Sequence, residues 1–186
     1  MSGMRYGSIP GSTGAVHRVR VLGDRALHAP CAEVGEFGAG LVRLVEDMFA
    51  TMYAAGGVGL AANQIGVPLR VFVYDCPDDE DRRHLGHLVN PGPVRLGGVA
   101  VTGAEGCLSL PGIESGTRRS DEAVVAGFDM WGEAVTVSGT GFFARCLQHE
   151  CDHLDGTVFT DRLRGPRRAR ALWSARRAPW AGAART

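Results

Sequence analysis

His149, Glu150 and His153 lie in the stretch QHECDHLDG, residues 148–156, and form the pattern HExxH. Residues four apart share one face of a helix, so the two imidazoles can bind a single metal ion. Glu150, beside the first of them, can then serve as general base toward a water that the ion activates. A catalytic ion of this kind takes a third protein ligand and keeps one position open. The pattern does not contain that third ligand.

Downstream the choice is narrow. After His153 the chain has no His, Glu or Cys, only Asp155 and Asp161. Asp155 is six residues from His149, on a different side of the helix, and Asp161 would need a tight return. Upstream, Cys107 in EGCLSLPG is the best candidate. A thiolate beside two imidazoles leaves one position for water or substrate. Cys31, Cys76 and Cys151 are expected to be small buried hydrophobes. Cys146 is expected to be the same, with a place beside the metal three residues before His149.

The elements that must position these groups follow from pattern. The 186 residues suit one domain with a real core, and 45% hydrophobic with 22% charged residues suits a soluble globular chain. Residues 1–15, rich in Gly and Ser, read as a flexible leader. Leu41, Leu44, Val45, Met48, Phe49 and Met52 fall at helical spacing and predict a helix over 40–55. GGVGLAANQIG predicts a close-packed loop. LRVFVYD predicts a strand, and HLVN and VRLGGVAV weaker ones. EAVVAGFD and EAVTVSG flank Met130, Trp131 and Gly132 as a hairpin. TGFFARCLQHECDHLDG predicts a helix with Thr140 as N-cap and Gly156 just past its end. The expected fold class is α+β: mainly antiparallel sheet packed around a central HExxH helix, in a single domain.

No apolar run is long enough to span a bilayer, and the N-terminus lacks the apolar core of a signal peptide. Five cysteines without an export signal argue against a disulfide framework. A cytoplasmic protein is expected. The net charge is zero but unevenly spread. All 20 acidic residues lie at or before Asp161, and eight of the 20 basic ones lie after it. Every basic residue is Arg.

GVGLAANQIG, EGCLSLPG and QHECDHLDG, in that order, resemble the three motifs of bacterial peptide deformylase. The resemblance runs from about Val16 to Leu163. It implies release of formate from the formyl-methionine start of new polypeptides. It implies one divalent metal ion on Cys107, His149 and His153, with Fe²⁺ expected in cells and Zn²⁺, Ni²⁺ or Co²⁺ able to substitute. It implies Glu150 as general base and acid, with the Gln64 side-chain amide and the Leu108 N–H as oxyanion donors. By itself Gln64 would read as a surface amide after a loop; the resemblance reverses that. Gly57 and Gly59 would let the first motif approach the substrate chain. Offsets from the motifs put Val58, Gly59, Phe142, Cys146 and His149 around the methionine side chain. Glu105 and Arg119 are expected to form a buried pair that braces the metal site.

The match departs in places. Glu114 stands where the family often has an Arg, three residues after the Pro of the second motif, so preference beyond the first substrate residue is open. Arg145 occupies a position that is often apolar and is expected to alter the pocket rim. The chain therefore divides into a leader (1–15), a catalytic domain (16–163) and an Arg-rich tail (164–186). In the tail Pro166 can start a short helix with Leu172 and Trp173 as its apolar side. So basic a run can bind ribosomal RNA; a disordered, solvated tail is the bland alternative. The competing functions are a general metallopeptidase, whose usual downstream ligand is missing, and a non-catalytic ribosome-associated homologue.

Overall fold

The structure is a computed structural model that describes residues 10–182. Helix α1, Ala39–Ala54, buries Leu41, Val45, Met48, Phe49 and Met52 of the stripe read from the sequence, and Leu44 is half-buried against them. Six strands form one antiparallel sheet: β1 Gly59–Ala61, β2 Val71–Pro77, β3 Arg83–Val89, β4 Arg95–Gly106, β5 Glu114–Phe128 and β6 Ala134–Thr140. The order along it is β1-β2-β3-β5-β4, and β6 also pairs with β5. Helix α2, Gly141–Leu154, packs on this sheet, and every residue from Phe143 to Leu154 is buried. Two more helices follow, α3 Phe159–Arg162 and α4 Gly165–Arg177. Mainly antiparallel sheet around a central HExxH helix is the architecture expected.

Several local expectations change. The first motif is not all loop: Gly59–Ala61 pair with Phe72–Tyr74, and Ala62–Ile65 make a 3₁₀ turn. Its small residues let a short edge strand lie close under α2. β5 begins at Glu114, eight residues before the hairpin strand predicted at Glu122, because its first half pairs with β4 from Val101↔Arg119 to Gly106↔Glu114. The second motif is therefore the turn of a hairpin, closed by Leu110 N–H to Cys107 O at 2.9 Å. Thr140 is the N-cap residue of α2 but its side chain makes no cap bond. Asp79, from the β2–β3 loop, accepts the Phe142 N–H at 2.8 Å instead. Gly156 has φ +73°, as expected past the helix end.

Of the expected leader, residues 1–9 lie outside the described residues. Residues 10–15 turn against α1: Gly11 N–H donates to Glu46 at 3.0 Å and Ala15 N–H to Asp47 at 2.7 Å. Those bonds replace water for groups that a leader would leave solvated. In the tail, α4 spans Gly165–Arg177, and the face it buries is Ala171 and Ala175 rather than Trp173. Trp173 is 57% exposed, with the Arg177 guanidinium 4.2 Å above its ring. Small alanines let the helix lie close to Leu110, Ile113 and Phe159. Among the described residues no helix is long and apolar enough to cross a membrane.

Candidate metal centre and active site

Cys107, His149 and His153 come together although 42 residues separate the first two. Their ligand atoms all lie within 4.8 Å of one another. His153 Nε2 is 3.2 Å from Cys107 Sγ and 3.2 Å from His149 Nε2. The β4–β5 turn brings the sulfur, and α2 brings both rings from one face. His149 Nδ1 lies 2.8 Å from the Glu105 carboxylate. A proton held there leaves Nε2 as the lone-pair nitrogen, the form a metal ligand needs. Despite burial, the Cys107 sulfur and the Glu105 carboxylate hold His149 well above the usual imidazole range. The cluster thus favours positive charge at this point. Burial and the His149 charge push His153 the opposite way, toward the neutral ring. One thiol and two imidazoles that converge at this spacing fit a divalent ion.

Glu105 is the centre of a larger network than the expected pair. Arg119 grips it twice, Nε to Oε2 at 3.0 Å and Nη2 to Oε1 at 2.6 Å. Arg145 donates to the same Oε2 at 3.0 Å and to the carbonyls of Thr117 and Val101. Arg145 lines the cavity, as expected of it, but its guanidinium also turns inward and ties α2 to β4 and β5. Arg119 also donates to Asp152 at 2.6 Å, and Asp152 accepts from Arg162 of α3. Although burial pushes it up, the hydrogen bonds from His149 and Arg119 keep Glu105 well below the usual carboxylate range. Buried charges persist only when paired in this way. Spacing in the chain gave no signal for Arg145, Asp152 or Arg162.

Glu150 is 3% exposed, and burial pushes its carboxyl up to about 7, partly opposed by the His149 charge. Its Oε2 has no hydrogen-bond partner among the described residues. The Oε1 atom lies 2.4 Å from where a Cβ on Gly59 would stand, and Cys146 Sγ 3.1 Å from it. Any side chain at 59 would displace the acid, so the close approach that glycine permits here is to Glu150 and Cys146. At Gly57 a Cβ would meet Leu108 Cδ1 at 2.6 Å, which joins the first and second motifs.

Gln64 is not a surface amide; it is 1% exposed. Its Oε1 accepts the Ala61 N–H at 2.8 Å, which turns Nε2 toward Ser109 Oγ at 3.0 Å and Cys107 Sγ at 3.5 Å. Asn63, also in the first motif, donates to the His153 carbonyl at 2.6 Å and so holds the end of α2. The Leu108 N–H meets no acceptor among the described residues. Backbone bonds from Arg20 N–H to Gln64 O and from Leu22 N–H to Ser109 O sew the first motif to the second.

One cavity of about 740 Å³ opens onto these groups. Val58, Gly59, Phe142, Cys146, His149 and Glu150 all line it, as do Gln64, Cys107 and Leu108. Cys31, Cys76 and Cys151 are buried in the core, as expected. Asp155 and Asp161 are turned elsewhere: Asp155 bonds Arg70 at 2.8 Å, and Asp161 accepts the Val158 N–H at 3.1 Å.

The model of the family described as polypeptide deformylase matches residues 16–169. A curated relative, peptide deformylase 2 of Streptomyces avermitilis, is 67% identical over 177 residues, 95% of each chain. Its namesake from Streptomyces coelicolor is 67% identical over 177 residues, 95% of this chain and 99% of that one. Among solved structures, a peptide deformylase from Legionella pneumophila superposes with TM-score 0.81 at 36% identity, covering 92% of this chain and 99% of that chain. One from Ehrlichia chaffeensis, in complex with actinonin, gives TM-score 0.81 at 34% identity over 88% and 97%. With this cluster at the foot of this cavity, the chain belongs to the polypeptide deformylase family.

Proposed function

We infer that the chain is a metal-dependent hydrolase that removes the N-formyl group from the formyl-methionine start of newly made polypeptides and releases formate. The observation that carries this reading is the meeting of Cys107, His149 and His153 beside Glu150 and the Gln64 amide in one cavity. Cys107, His149 and His153 would hold a divalent ion, which would supply Lewis-acid polarisation and lower the pKa of water. Glu150 takes the proton from the attacking water as it adds to the formyl carbon. Gln64 Nε2 and the Leu108 N–H donate to the oxyanion that forms. Glu150 then passes its proton to the departing amine, the C–N bond breaks, and formate leaves. Val58, Gly59, Phe142 and Cys146 receive the methionine side chain, while Glu105 and Arg119 hold His149 from behind.

Fe²⁺ is the ion we propose in cells, with Zn²⁺, Ni²⁺ or Co²⁺ as substitutes. Soft thiolate and borderline imidazole ligands suit all four. The catalytic unit is residues 16–163, acting in the cytoplasm where such chains emerge. The tail contacts the ribosome through α4, whose Arg167, Arg168, Arg170, Arg176 and Arg177 are exposed. Truncation after Leu163 should abolish salt-dependent ribosome binding; binding that persists with the same salt dependence would refute that role.

Formate release from formyl-Met-Ala-Ser, after purification without oxygen, tests the activity. A general metallopeptidase would cut the unformylated peptide as well. That reading is disfavoured because Asp155 and Asp161, the two acids after His153, are engaged away from the cluster. A non-catalytic homologue would release no formate.

A further inference from the structure

The charged side chains that line the cavity differ in one respect. Glu105, Arg145, His149 and Glu150 are buried, whereas Glu114 is exposed. Glu114 opens β5 and pairs with Gly106, the residue before Cys107. Its Cγ lies 3.3 Å from where a Cβ on Gly106 would stand, so the side chain runs alongside the strand end that delivers the sulfur. Its carboxylate enters no ion pair or hydrogen bond among the described residues. Two cations follow on the same strand face. Arg167 reaches it from α4, donating to the Gly116 carbonyl at 3.3 Å. Arg118 is four residues along, roughly 13 Å by strand geometry and beyond the screening length of ordinary buffers, about 8–10 Å. Arg167, at Gly116 two residues along and so roughly 7 Å away, weakens the field of the carboxylate, but neither arginine pairs with it among the described residues.

A paired residue across an antiparallel ladder is about 5 Å away. An extended peptide advances about 3.3 Å per residue, so a substrate that leaves the metal centre comes level with Glu114 within two or three residues. We propose that Glu114 is a specificity-determining residue, which favours substrates with a cationic side chain one or two residues after the methionine and disfavours acidic ones there. This inference rests on the deformylase reading of the site. A unit charge a few ångströms away near the surface changes binding by about threefold, so reversal from glutamate to lysine should span about tenfold.

The test uses the metal-loaded full chain with amidated peptides: formyl-Met-Lys-Ala and formyl-Met-Ala-Lys, and their Gln and Glu counterparts. kcat/KM should favour Lys over Glu by about tenfold at one of the two positions, and the ratio should shrink at high salt. Glu114→Gln should remove the ratio and Glu114→Arg should reverse it. The ratio between substrates cancels any general loss of fold or activity, and the salt dependence of the unaltered protein is a second reading that needs no variant. Equal rates for Lys and Glu at both positions, or a preference that survives Glu114→Gln, overturn the proposal while the deformylase reading stands. No formate from any peptide overturns both.

Discussion

Glu105 Oε1 lies 2.8 Å from His149 Nδ1, and the same carboxylate holds two arginines. One acid thus sets the ring orientation of a proposed metal ligand and anchors a buried ion network. Glu105→Gln should lower metal affinity about 10- to 100-fold, because the ring loses its charged partner. Competition against a chromophoric chelator measures this directly. Metal removal from the unaltered protein should likewise lower its thermal midpoint, since the ion binds only the folded form.

Arg119 and Arg145 share Glu105 but not the consequences of removal. Arg119 also satisfies Asp152, so Arg119→Ala leaves two buried acids short of a partner. A loss of about 3–5 kcal/mol is expected. Arg145→Leu leaves the Arg119 pair intact and should cost less, about 1–3 kcal/mol. Urea denaturation of the two metal-loaded variants should rank them in that order.

Cys146 lines the cavity beside Gly59. Cys146→Leu adds volume at the place proposed for the methionine side chain. KM for formyl-Met peptides should rise about tenfold with little change in kcat, because the reacting groups are untouched. Unchanged KM would remove Cys146 from the pocket.

The tail reaches back to the cavity. Trp180 Nε1–H donates to the Pro111 carbonyl at 3.0 Å, and its ring packs against the buried cluster that includes Leu110 and Ile113. Pro111 lines the cavity mouth. Trp180→Phe keeps the packing and loses one hydrogen bond, worth about 0.5–1.5 kcal/mol. KM should therefore rise a few-fold with kcat preserved, and more for Trp180→Ala, in steady-state formate release.

His87 offers a pH test of the fold away from the site. It is buried, accepts the Met130 N–H at Nε2 over 2.8 Å, and burial lowers it from 6.5 to about 4. Above pH 6.5 both folded and unfolded chains hold the neutral ring. Between there and pH 4 the unfolded chain binds the proton first, so stability falls with acid across that window. The loss is at most about 3 kcal/mol. His87→Gln retains an acceptor and should flatten this part of the profile, read from denaturation midpoints at both ends.

Much of the site was legible because its signals are local. The four-residue spacing of His149 and His153 needs only helix geometry. Cys107 became the best candidate once the chain after His153 offered only Asp155 and Asp161, and those two bond elsewhere. The burial of Gln64 was not local: a polar residue after glycines looks solvent-facing until Ala61 and Ser109 are seen to satisfy its amide. The bond from Arg145 to Glu105 was hidden because nothing in its neighbourhood along the chain announces an acid forty residues away. The early start of β5 was hidden for a similar reason, since ESGTRRSD has no apolar alternation and becomes a strand only through β4.

By itself, then, the chain determined the ligand types, the helix that carries two of them and the order of the motifs. These depend on side-chain chemistry and on periodicities of a few residues. Only the tertiary structure decided which charges neutralise one another and which remain exposed at the cavity mouth. Burial makes an unpaired charge costly, and the partner that removes the cost comes from whichever strand folding brings alongside. Arg119, Arg145 and Asp152 found theirs around the cysteine–histidine cluster; Glu114, at the first rung of β5, found none among the described residues.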